Sequence, residues 1–284
     1  MGIQVKNIFY TYQKKASNAT LALKDVSFEI KENDFVAIVG ETGSGKSTLA
    51  QTFNALLIPD KGDVEVGSYV INYKNRKGRK LKGLRKYVGL VFQFPEYQLF
   101  EETVEKDVAF GVKNFGVKAE EALQKAHEAL AQVGLDESYY KRAPFDLSGG
   151  EKRKVAIAGI LAINPDILIF DEPTVGFDPQ SSKELMQLIV DFHKQGKTII
   201  VITHDMDLVN TYAQKVFLLE QGELAFQGTP SELFDFIQGY DRLDIPSVIK
   251  VAQKLKEKGM NIEPKEIHSI PDLVKAIKEG RKKA

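Results

Sequence analysis

One glycine-rich segment has the residue types and spacing of a phosphate-binding loop: Gly40-Glu41-Thr42-Gly43-Ser44-Gly45-Lys46-Ser47-Thr48. It matches G-x-x-x-x-G-K-[ST], and it lies between a predicted buried strand, Phe35–Val39, and a predicted helix, Lys46–Leu57. Glycines let successive backbone N–H groups turn towards phosphate oxygens, and the start of a helix adds a favourable dipole. In this pattern Lys46 contacts the β- and γ-phosphates, and the Ser47 hydroxyl coordinates Mg²⁺. The segment therefore predicts nucleotide binding.

Two adjacent carboxylates, Asp171 and Glu172, follow a second apolar segment, Asp166–Phe170, also predicted as a buried strand. Because the carboxyl ends of parallel strands form the ligand edge of a sheet, both acids are expected near the phosphates. Asp171 would hold Mg²⁺, and Glu172 would polarise the attacking water as a general base. Alone, such a pair could be a capping turn; beside a phosphate loop it indicates nucleotide hydrolysis.

A third element is Leu147-Ser148-Gly149-Gly150-Glu151, at the start of a predicted helix. Ser148 is a natural N-cap, and Glu151 lies three residues later, so a plain capping box is a serious alternative explanation. The two glycines, however, destabilise a helix. They indicate that the backbone closely approaches another group, such as a γ-phosphate.

These motifs must be positioned by elements that alternate between strand and helix, which predicts a three-layer α/β domain with a mainly parallel sheet. Further strands are predicted at Val5–Tyr12, Asp25–Ile30, Asp63–Tyr73, Val88–Phe92, Thr198–Thr203, Val216–Leu219 and Glu223–Phe226. Further helices are predicted at Ser148–Ile163, Gln180–Gln195 and Asp205–Ala213, and Thr103–Gly134 is helical by pattern. Three short helices are predicted after residue 229, at Ser231–Gln238, Ser247–Lys258 and Pro271–Lys283.

Composition narrows the class of protein. Basic and acidic residues balance at 39 each among 284 residues, so nothing suggests bulk binding to nucleic acid or anionic lipid. The absence of cysteine excludes disulfides and thiolate metal sites, and suits a reducing cytoplasm. The basic segment Lys74–Lys86 could bind nucleic acid or lipid headgroups, but its glycines and its lack of interleaved aromatic residues favour a solvated hairpin loop. We expect neither a secretory signal nor a membrane-spanning helix, although the chain could dock onto a membrane protein.

The order of the motifs resembles the ATP-binding cassette (ABC) ATPases, in which LSGG is the signature motif. The resemblance covers roughly residues 3–228, and it implies a P-loop NTPase fold with a mainly parallel core sheet, an antiparallel β subdomain and a helical subdomain at about 94–160. It also assigns roles to four more residues. Tyr12 would stack on adenine, and Asp178 resembles the D-loop aspartate at a dimer seam. Gln93 resembles the Q-loop glutamine, which contacts Mg²⁺ or the attacking water and reports to a transmembrane partner, and His204 resembles the switch histidine that contacts the γ-phosphate.

Each of these assignments has a simpler alternative. Tyr12 could be an ordinary core or surface residue, Gln93 could have no function, and His204 could be the N-cap of the helix that follows it. The ordered set of motifs favours the functional interpretation, with Lys46, Gln93, Glu172 and His204 as the catalytic groups and ATP with Mg²⁺ as the ligands.

ABC ATPases form head-to-tail dimers in which each ATP lies between one subunit's phosphate loop and the other's LSGG motif. The resemblance therefore implies that Leu147–Glu151 serve the partner's nucleotide. Two departures from the family stand out: Glu151 replaces the commoner Gln, and Val175-Gly176-Phe177-Asp178 replaces the frequent SALD. A carboxylate at Glu151 beside a triphosphate is expected to be mildly unfavourable.

The aromatic segment Phe92–Phe100, the sequence DEPTVGFDP and the helical tail are together similar to the ATPases of energy-coupling factor (ECF) transporters, especially the second of their two ATP-binding subunits. That family implies a heterodimer with another ABC ATPase, attached to a transmembrane coupling protein at the cytoplasmic face of the membrane. A separate membrane protein captures the vitamin or the cobalt or nickel ion, and nucleic acid is not a partner. We expect residues 1–229 to form the ATPase domain and residues 230–284 a small helical domain that helps hold the two ATPases together.

Two other classes of ABC protein share motifs with this sequence. Soluble ABC ATPases that act on nucleic acid or ribosomes share these motifs, but they usually carry a coiled-coil insertion or two fused cassettes, and this sequence has neither. A non-catalytic regulatory cassette is disfavoured because Glu172 and His204 are both present.

Overall fold

Two sheets organise the fold, a computed structural model that describes residues 2–15, 17–74, 81–237 and 243–280. The strands are β1 (Ile3–Tyr12), β2 (Thr20–Ile30), β3 (Phe35–Val39), β4 (Lys61–Val66), β5 (Tyr69–Ile71), β6 (Val88–Val91), β7 (Ile167–Asp171), β8 (Thr198–Ile202), β9 (Lys215–Glu220) and β10 (Glu223–Gly228). One sheet is antiparallel, in the order β2-β1-β4-β5. The other has the order β10-β9-β3-β8-β7-β6 and is parallel except for β10. This architecture confirms the predicted α/β class.

Helices surround the sheets. They are α1 (Lys46–Phe53), α2 (Leu81–Tyr87), α3 (Val104–Asn114), α4 (Ala119–Gln132), α5 (Glu137–Tyr140), α6 (Gly149–Leu161), α7 (Pro179–Lys194), α8 (Met206–Tyr212), α9 (Pro230–Phe236), α10 (Ser247–Glu257) and α11 (Ile270–Gly280). Within the described ranges, no helix combines the length and the apolar character needed to cross a bilayer.

The central strands are buried on both faces and supply two separate cores. Val36 and Ile38 of β3 pack with the antiparallel sheet and α1, whereas Phe35 packs with α3, α4, α6 and α7. Alternate residues of a strand point to opposite faces, which is why one apolar run serves both cores. The sheet thereby holds the phosphate-loop region and the helical region in fixed positions.

Several predicted boundaries were wrong. The region Thr103–Gly134 is divided into α3 and α4, with Gly116 between them at a φ of 89°. The predicted strand Asp63–Tyr73 is two strands, β4 and β5. Helix α1 ends at Phe53, short of the predicted Leu57. Each error lies at a turn whose residue types are also compatible with the strand or helix on either side of it. The boundaries of elements are the least reliable part of such predictions.

The second half of the basic segment Lys74–Lys86 is helical. Residues 75–80 lie outside the described ranges, but residues 81–87 form α2, with Leu84 fully buried. The hairpin-loop interpretation is therefore wrong for the second half of the segment. The glycine at 83 did not prevent a helix because Leu84 contributes to the core of the antiparallel sheet.

The tail begins as part of the ATPase core. Leu233 and Phe234 of α9 pack against Ala37 and Val39 of the parallel sheet. Further along, α10, α11 and the segment between them share a small apolar cluster of their own, centred on Ala252, Ile262, Ile267 and Leu273. Ile249 of α10 belongs to the same cluster as Leu233 and Phe234, so α10 contacts the ATPase core as well as its own small cluster.

We predict that Phe234→Ala destabilises the whole ATPase fold by about 3–5 kcal/mol, because it leaves a cavity between α9 and the sheet. Phe236→Ala is the matched control, since Phe236 is on the same helix but 42% exposed, against 4% for Phe234. Urea unfolding of the full chain measures both changes. Equal losses for the two variants would show that α9 is not anchored through Phe234.

Candidate functional site

Strand order brings the predicted chemical groups to one edge of the sheet. β3, β8, β7 and β6 are parallel neighbours, so their carboxyl ends lie side by side. Following these ends are, in the same order, the phosphate loop, His204, the pair Asp171 and Glu172, and Gln93. Residues separated by more than one hundred positions in the sequence thus form a single row at the edge where ligands bind.

The phosphate loop is closed by backbone contacts. Ser44 N donates to Glu41 O (3.1 Å), and Gly222 N from the β9–β10 hairpin donates to Ser44 O (3.0 Å). Gly45, at the start of α1, has a φ of 103°, and a Cβ there would lie 2.6 Å from Ala22 O of β2. Only glycine fits this position without displacing β2, so the antiparallel sheet and the hairpin fix the shape of the loop.

Lys46 lies across the loop that precedes it. Its Nζ donates to Gly40 O (2.8 Å) and to Glu41 O (2.7 Å). Burial lowers the pKa of Lys46, and the nearby carboxylates Glu172, Asp171 and Glu41 oppose that shift. The ammonium is thus a desolvated positive charge held at the place where the pattern requires a phosphate contact.

Ser44 provides an independent test of whether the loop suits phosphate. Its Oγ is buried inside the loop, yet among the described residues it has no hydrogen-bond partner. A buried hydroxyl without a partner is costly. A phosphate oxygen would satisfy it, so this orphaned donor fits a nucleotide in the loop.

Asp171 and Ser47 form the candidate Mg²⁺ site. The Ser47 hydroxyl lies close enough to the Asp171 carboxylate to interact with it, and Asp171 is 8% exposed. Burial raises the pKa of Asp171, while the Ser47 hydroxyl and the Lys46 charge act in the opposite direction. Across the residues that the structure describes, no group of at least three His, Cys, Asp or Glu side chains could hold a metal. A site of one carboxylate and one hydroxyl fits Mg²⁺, which typically uses one or two carboxylates together with substrate phosphates and water.

Glu172 and His204 form a hydrogen-bonded pair, with His204 Nδ1 2.8 Å from Glu172 Oε1. The backbone of Glu172 has a φ of 49°, an uncommon conformation for a side chain of this size, and it is fixed by Glu172 N donating to Ile202 O (2.9 Å). Strained backbone of this kind persists where the surrounding structure holds it, often at functional sites. A general base oriented by a second group is the arrangement that activates a water molecule.

The capping alternative for His204 is wrong. Asp205, not His204, is the N-cap of α8, since its side chain accepts from Leu208 N at 3.1 Å. The His204 side chain is 68% exposed, so its free edge faces solvent. Asp178, in contrast, is the N-cap of α7, where it accepts from Gln180 N and Ser181 N. This local role accounts for Asp178 without reference to a second subunit.

Tyr12 lies beside the phosphate loop, with its hydroxyl 3.1 Å from Thr48 Oγ1. Its ring, 37% exposed, lines a cleft of about 450 Å³ that opens onto Gly43–Thr48. Sequence reasoning missed the rest of that cleft wall, namely Thr20, Leu21, Ala22, Lys24, Gln221 and Gly222. They belong to β2 and the β9–β10 turn, and no motif marks either segment as part of a binding site.

The signature segment lies at the start of α6, and the capping box that offers an alternative explanation of it is present. Ser148 Oγ accepts from Glu151 N, and Glu151 Oε2 accepts from Ser148 N at 2.8 Å. The two glycines meet nothing that would exclude a side chain: a Cβ at Gly149 has no neighbour within 4 Å, and one at Gly150 only touches the Phe177 ring at 4.0 Å. Nothing in the described part of this chain therefore requires glycine at either position.

Gln93 is exposed two residues beyond β6, and the segment after it contacts the signature helix. Arg153 of α6 donates from Nε to Glu96 Oε2 (3.0 Å) and from Nη2 to Glu96 Oε1 (2.9 Å), and also bonds to Val175 O. Its guanidinium lies over the rings of Phe94 (5.5 Å) and Phe177 (4.9 Å). This buried arginine ties the segment after Gln93 and the segment before Asp178 to α6. The sequence did not indicate it, because its partners are far from it along the chain.

Comparison with known proteins agrees with this geometry. A family model described as "ABC transporter" matches residues 23–175. The chain is 50% identical over 264 residues to "Energy-coupling factor transporter ATP-binding protein EcfA2" of Streptococcus sanguinis, covering 92% of this chain and 94% of that protein. It is 47% identical over 282 residues to the protein of the same name from Streptococcus agalactiae, covering 99% and 100%.

Solved structures give the same result. The structure of cbiO1 from Clostridium perfringens, described as part of the ABC transporter complex cbiONQ, matches with a TM-score of 0.73 and 38% identity over 90% of this chain and 96% of that one. A dimeric ATP-binding cassette bound to ADP and Pi matches with a TM-score of 0.72 and 32% identity, over 80% and 98%. This chain therefore belongs to the ABC transporter family of ATPases, and within it to the ATP-binding proteins of energy-coupling factor transporters.

Proposed function

We propose that this chain works as one half of a head-to-tail ATPase dimer, with a second ABC ATPase as its partner. The support is at the signature segment, where Gly149 and Gly150 are exposed and unconstrained within the chain. No contact within the chain explains why these two positions are glycine. Close approach of another molecule to this surface would explain it. That molecule would be the nucleotide held by the partner's phosphate loop, with Leu147 and Ser148 beside it.

Within its own phosphate loop the chain would bind ATP through Lys46 and the loop N–H groups, with the Tyr12 ring against adenine. Mg²⁺, when bound by Ser47, Asp171 and Gln93, supplies positive charge that neutralises the phosphate oxygens. Glu172 then accepts a proton from the attacking water, and His204 orients that carboxylate and reaches towards the γ-phosphate. Asp178 would meet the partner at the seam while its carboxylate caps α7, where it accepts from Gln180 N, Ser181 N and the Ser181 hydroxyl.

The observation that carries the transport function is an aromatic patch, defined here as Phe94, Tyr97, Phe100 and Phe110. Tyr97 is 85% exposed, and the rings pair as Phe94 with Tyr97 and Phe100 with Phe110. Exposed apolar surface of this kind marks an interaction site. We propose that a helix of a transmembrane coupling protein binds here, in the manner of an amphipathic helix in an apolar groove. A movement of that bound helix would be transmitted to the signature helix α6 through the contact between Glu96 and Arg153.

The resulting assembly is an importer at the cytoplasmic face of the membrane, with this chain as a peripheral subunit. A separate membrane protein would capture the vitamin or the cobalt or nickel ion, so the solute is chosen outside this chain. The tail would strengthen ATPase pairing through exposed apolar side chains on α10 and α11, namely Val251, Ile270 and Val274. The alternative of a soluble ATPase acting on nucleic acid or ribosomes is not favoured, since the relatives described above carry transporter names.

Tyr97→Ala tests the transport function. We expect the tagged wild-type chain, purified in mild detergent from membranes, to bring down integral membrane proteins that mass spectrometry identifies. Tyr97→Ala should reduce their recovery about tenfold or more, because central aromatic residues dominate such interfaces.

Tyr73→Ala is the control for Tyr97→Ala, since Tyr73 is an exposed aromatic residue beyond β5, on the antiparallel subdomain. Its recovery of membrane proteins should match the wild type. Recovery of nucleic acid or ribosomes without a membrane protein, or equal recovery with Tyr97→Ala, would contradict the proposed function.

A further inference from the structure

The carboxylate of Glu151 is held in place from two sides. On one side it accepts from Ser148 N (2.8 Å) and Ser148 Oγ (2.7 Å), and on the other side from the Tyr139 hydroxyl of α5 (2.8 Å). Arg142 lies over the Tyr139 ring at 5.0 Å and adds its positive charge. The contact from Tyr139 comes from a different helix and is not part of the capping box.

These contacts decide the direction of the Glu151 carboxylate. The side chain is anionic at neutral pH with or without them, because the ordinary pKa of Glu is far below 7. The Ser148 hydroxyl and backbone, followed by the Tyr139 hydroxyl, favour the anion further and lower the pKa of Glu151 to about 2. Beside exposed glycines that would meet a triphosphate, a free anion would repel the ligand. With Oε2 on the Ser148 cap and Oε1 on Tyr139, the carboxylate is instead turned back onto its own chain.

We propose that Tyr139 is a positioning residue for the composite ATP site: its hydroxyl holds the Glu151 carboxylate back, so that a signature segment with Glu in place of Gln accepts the partner's nucleotide. The inference rests on the proposed head-to-tail dimer. It also explains how a carboxylate at position 151 is compatible with a nearby triphosphate: the negative charge is present, but it is held away from the ligand.

A purely structural role for Tyr139 makes a different prediction. Gln at position 151 can complete the same capping box through its amide oxygen, and its amide NH2 can donate to the Tyr139 hydroxyl oxygen. If Tyr139 only stabilises the start of α6, its loss should matter equally with Glu or Gln at 151. If it restrains a charge, its loss should matter only with Glu.

The test is a double-mutant cycle with Tyr139→Phe and Glu151→Gln, measured as MgATP hydrolysis by the full complex isolated from membranes through a tag on this chain. We expect Tyr139→Phe to raise the KM for MgATP about three- to tenfold, with kcat changed less than about twofold, a change of the size that one ordinary hydrogen bond contributes. In the Glu151→Gln background the same change should alter KM by less than about twofold.

Tyr140→Phe is the matched control, because Tyr140 is the next residue of α5 and its hydroxyl bonds to His127 O (3.4 Å) instead of Glu151. It should leave KM unchanged. A rise in KM that is equal in both backgrounds, or absent from both, would overturn the inference. Absence of ATP-driven association of the wild-type ATPases would instead refute the dimer itself, and the inference with it.

Discussion

Glu172→Gln is expected to abolish most ATP turnover while leaving ATP bound. The amide has the shape of the carboxylate but cannot take a proton from water, and general-base catalysis contributes roughly 100- to 10,000-fold to rate. The site around it should survive, because Glu172 N still donates to Ile202 O (2.9 Å) and the side chain can still reach His204. In the proposed head-to-tail dimer, a bound, uncleaved nucleotide would keep the two ATPases together, so a closed dimer should accumulate.

Two measurements check this result. Phosphate release reports turnover, and size-exclusion chromatography with light scattering, in the presence of MgATP, reports the dimer. Glu120→Gln is the control for replacing a carboxylate by an amide, because Glu120 is exposed in the first turn of α4. It should behave as the wild type. A normal rate of hydrolysis by Glu172→Gln would show that another group is the general base.

The row of candidate catalytic groups could be predicted because it depends on strand order, and strand order follows from the alternation of strands and helices in the sequence. Glu172 and His204 each follow an apolar strand, and in a parallel sheet those ends must share an edge. The structure places their side chains 2.8 Å apart. The uncommon backbone of Glu172, with a φ of 49°, could not be foreseen, because it follows from tertiary contacts and not from local residue preference.

Contacts between side chains that are far apart in the sequence could not be predicted from spacing. Spacing shows which residues share a helix face, but not which residue of another helix will meet them. Tyr139 with Glu151, and Arg153 with Glu96, join elements whose mutual approach is set by packing of the helical region. The same limit explains the tail: its helices were predicted, but the packing of Phe234 against the parallel sheet was not.

Lys46→Met is expected to weaken MgATP binding about 10- to 100-fold, because it removes a charge-assisted contact to phosphate while the methylene stem remains to fill the buried space. Methionine is preferred to alanine for this reason. Either replacement leaves Gly40 O and Glu41 O without the donor that Nζ supplies, so some loss of stability is expected as well. Thermal unfolding without nucleotide measures that part separately.

Lys24→Met is the control that separates a direct contact between Lys46 and phosphate from a general attraction of ATP to positive charge in the cleft. Lys24 lines the same cleft but stands at its rim, 3.9 Å from Glu223, in a solvated pair of small energetic value. Equilibrium titration with a fluorescent ATP analogue, at two salt concentrations, should show a change of less than about threefold for Lys24→Met, and that change should fade at high salt. The larger effect of Lys46→Met should persist, because a buried charge is screened little. Equal weakening of ATP binding by the two variants, or unchanged affinity in Lys46→Met, would mean that the ammonium of Lys46 does not bind phosphate. The loop would then bind phosphate through its backbone N–H groups alone.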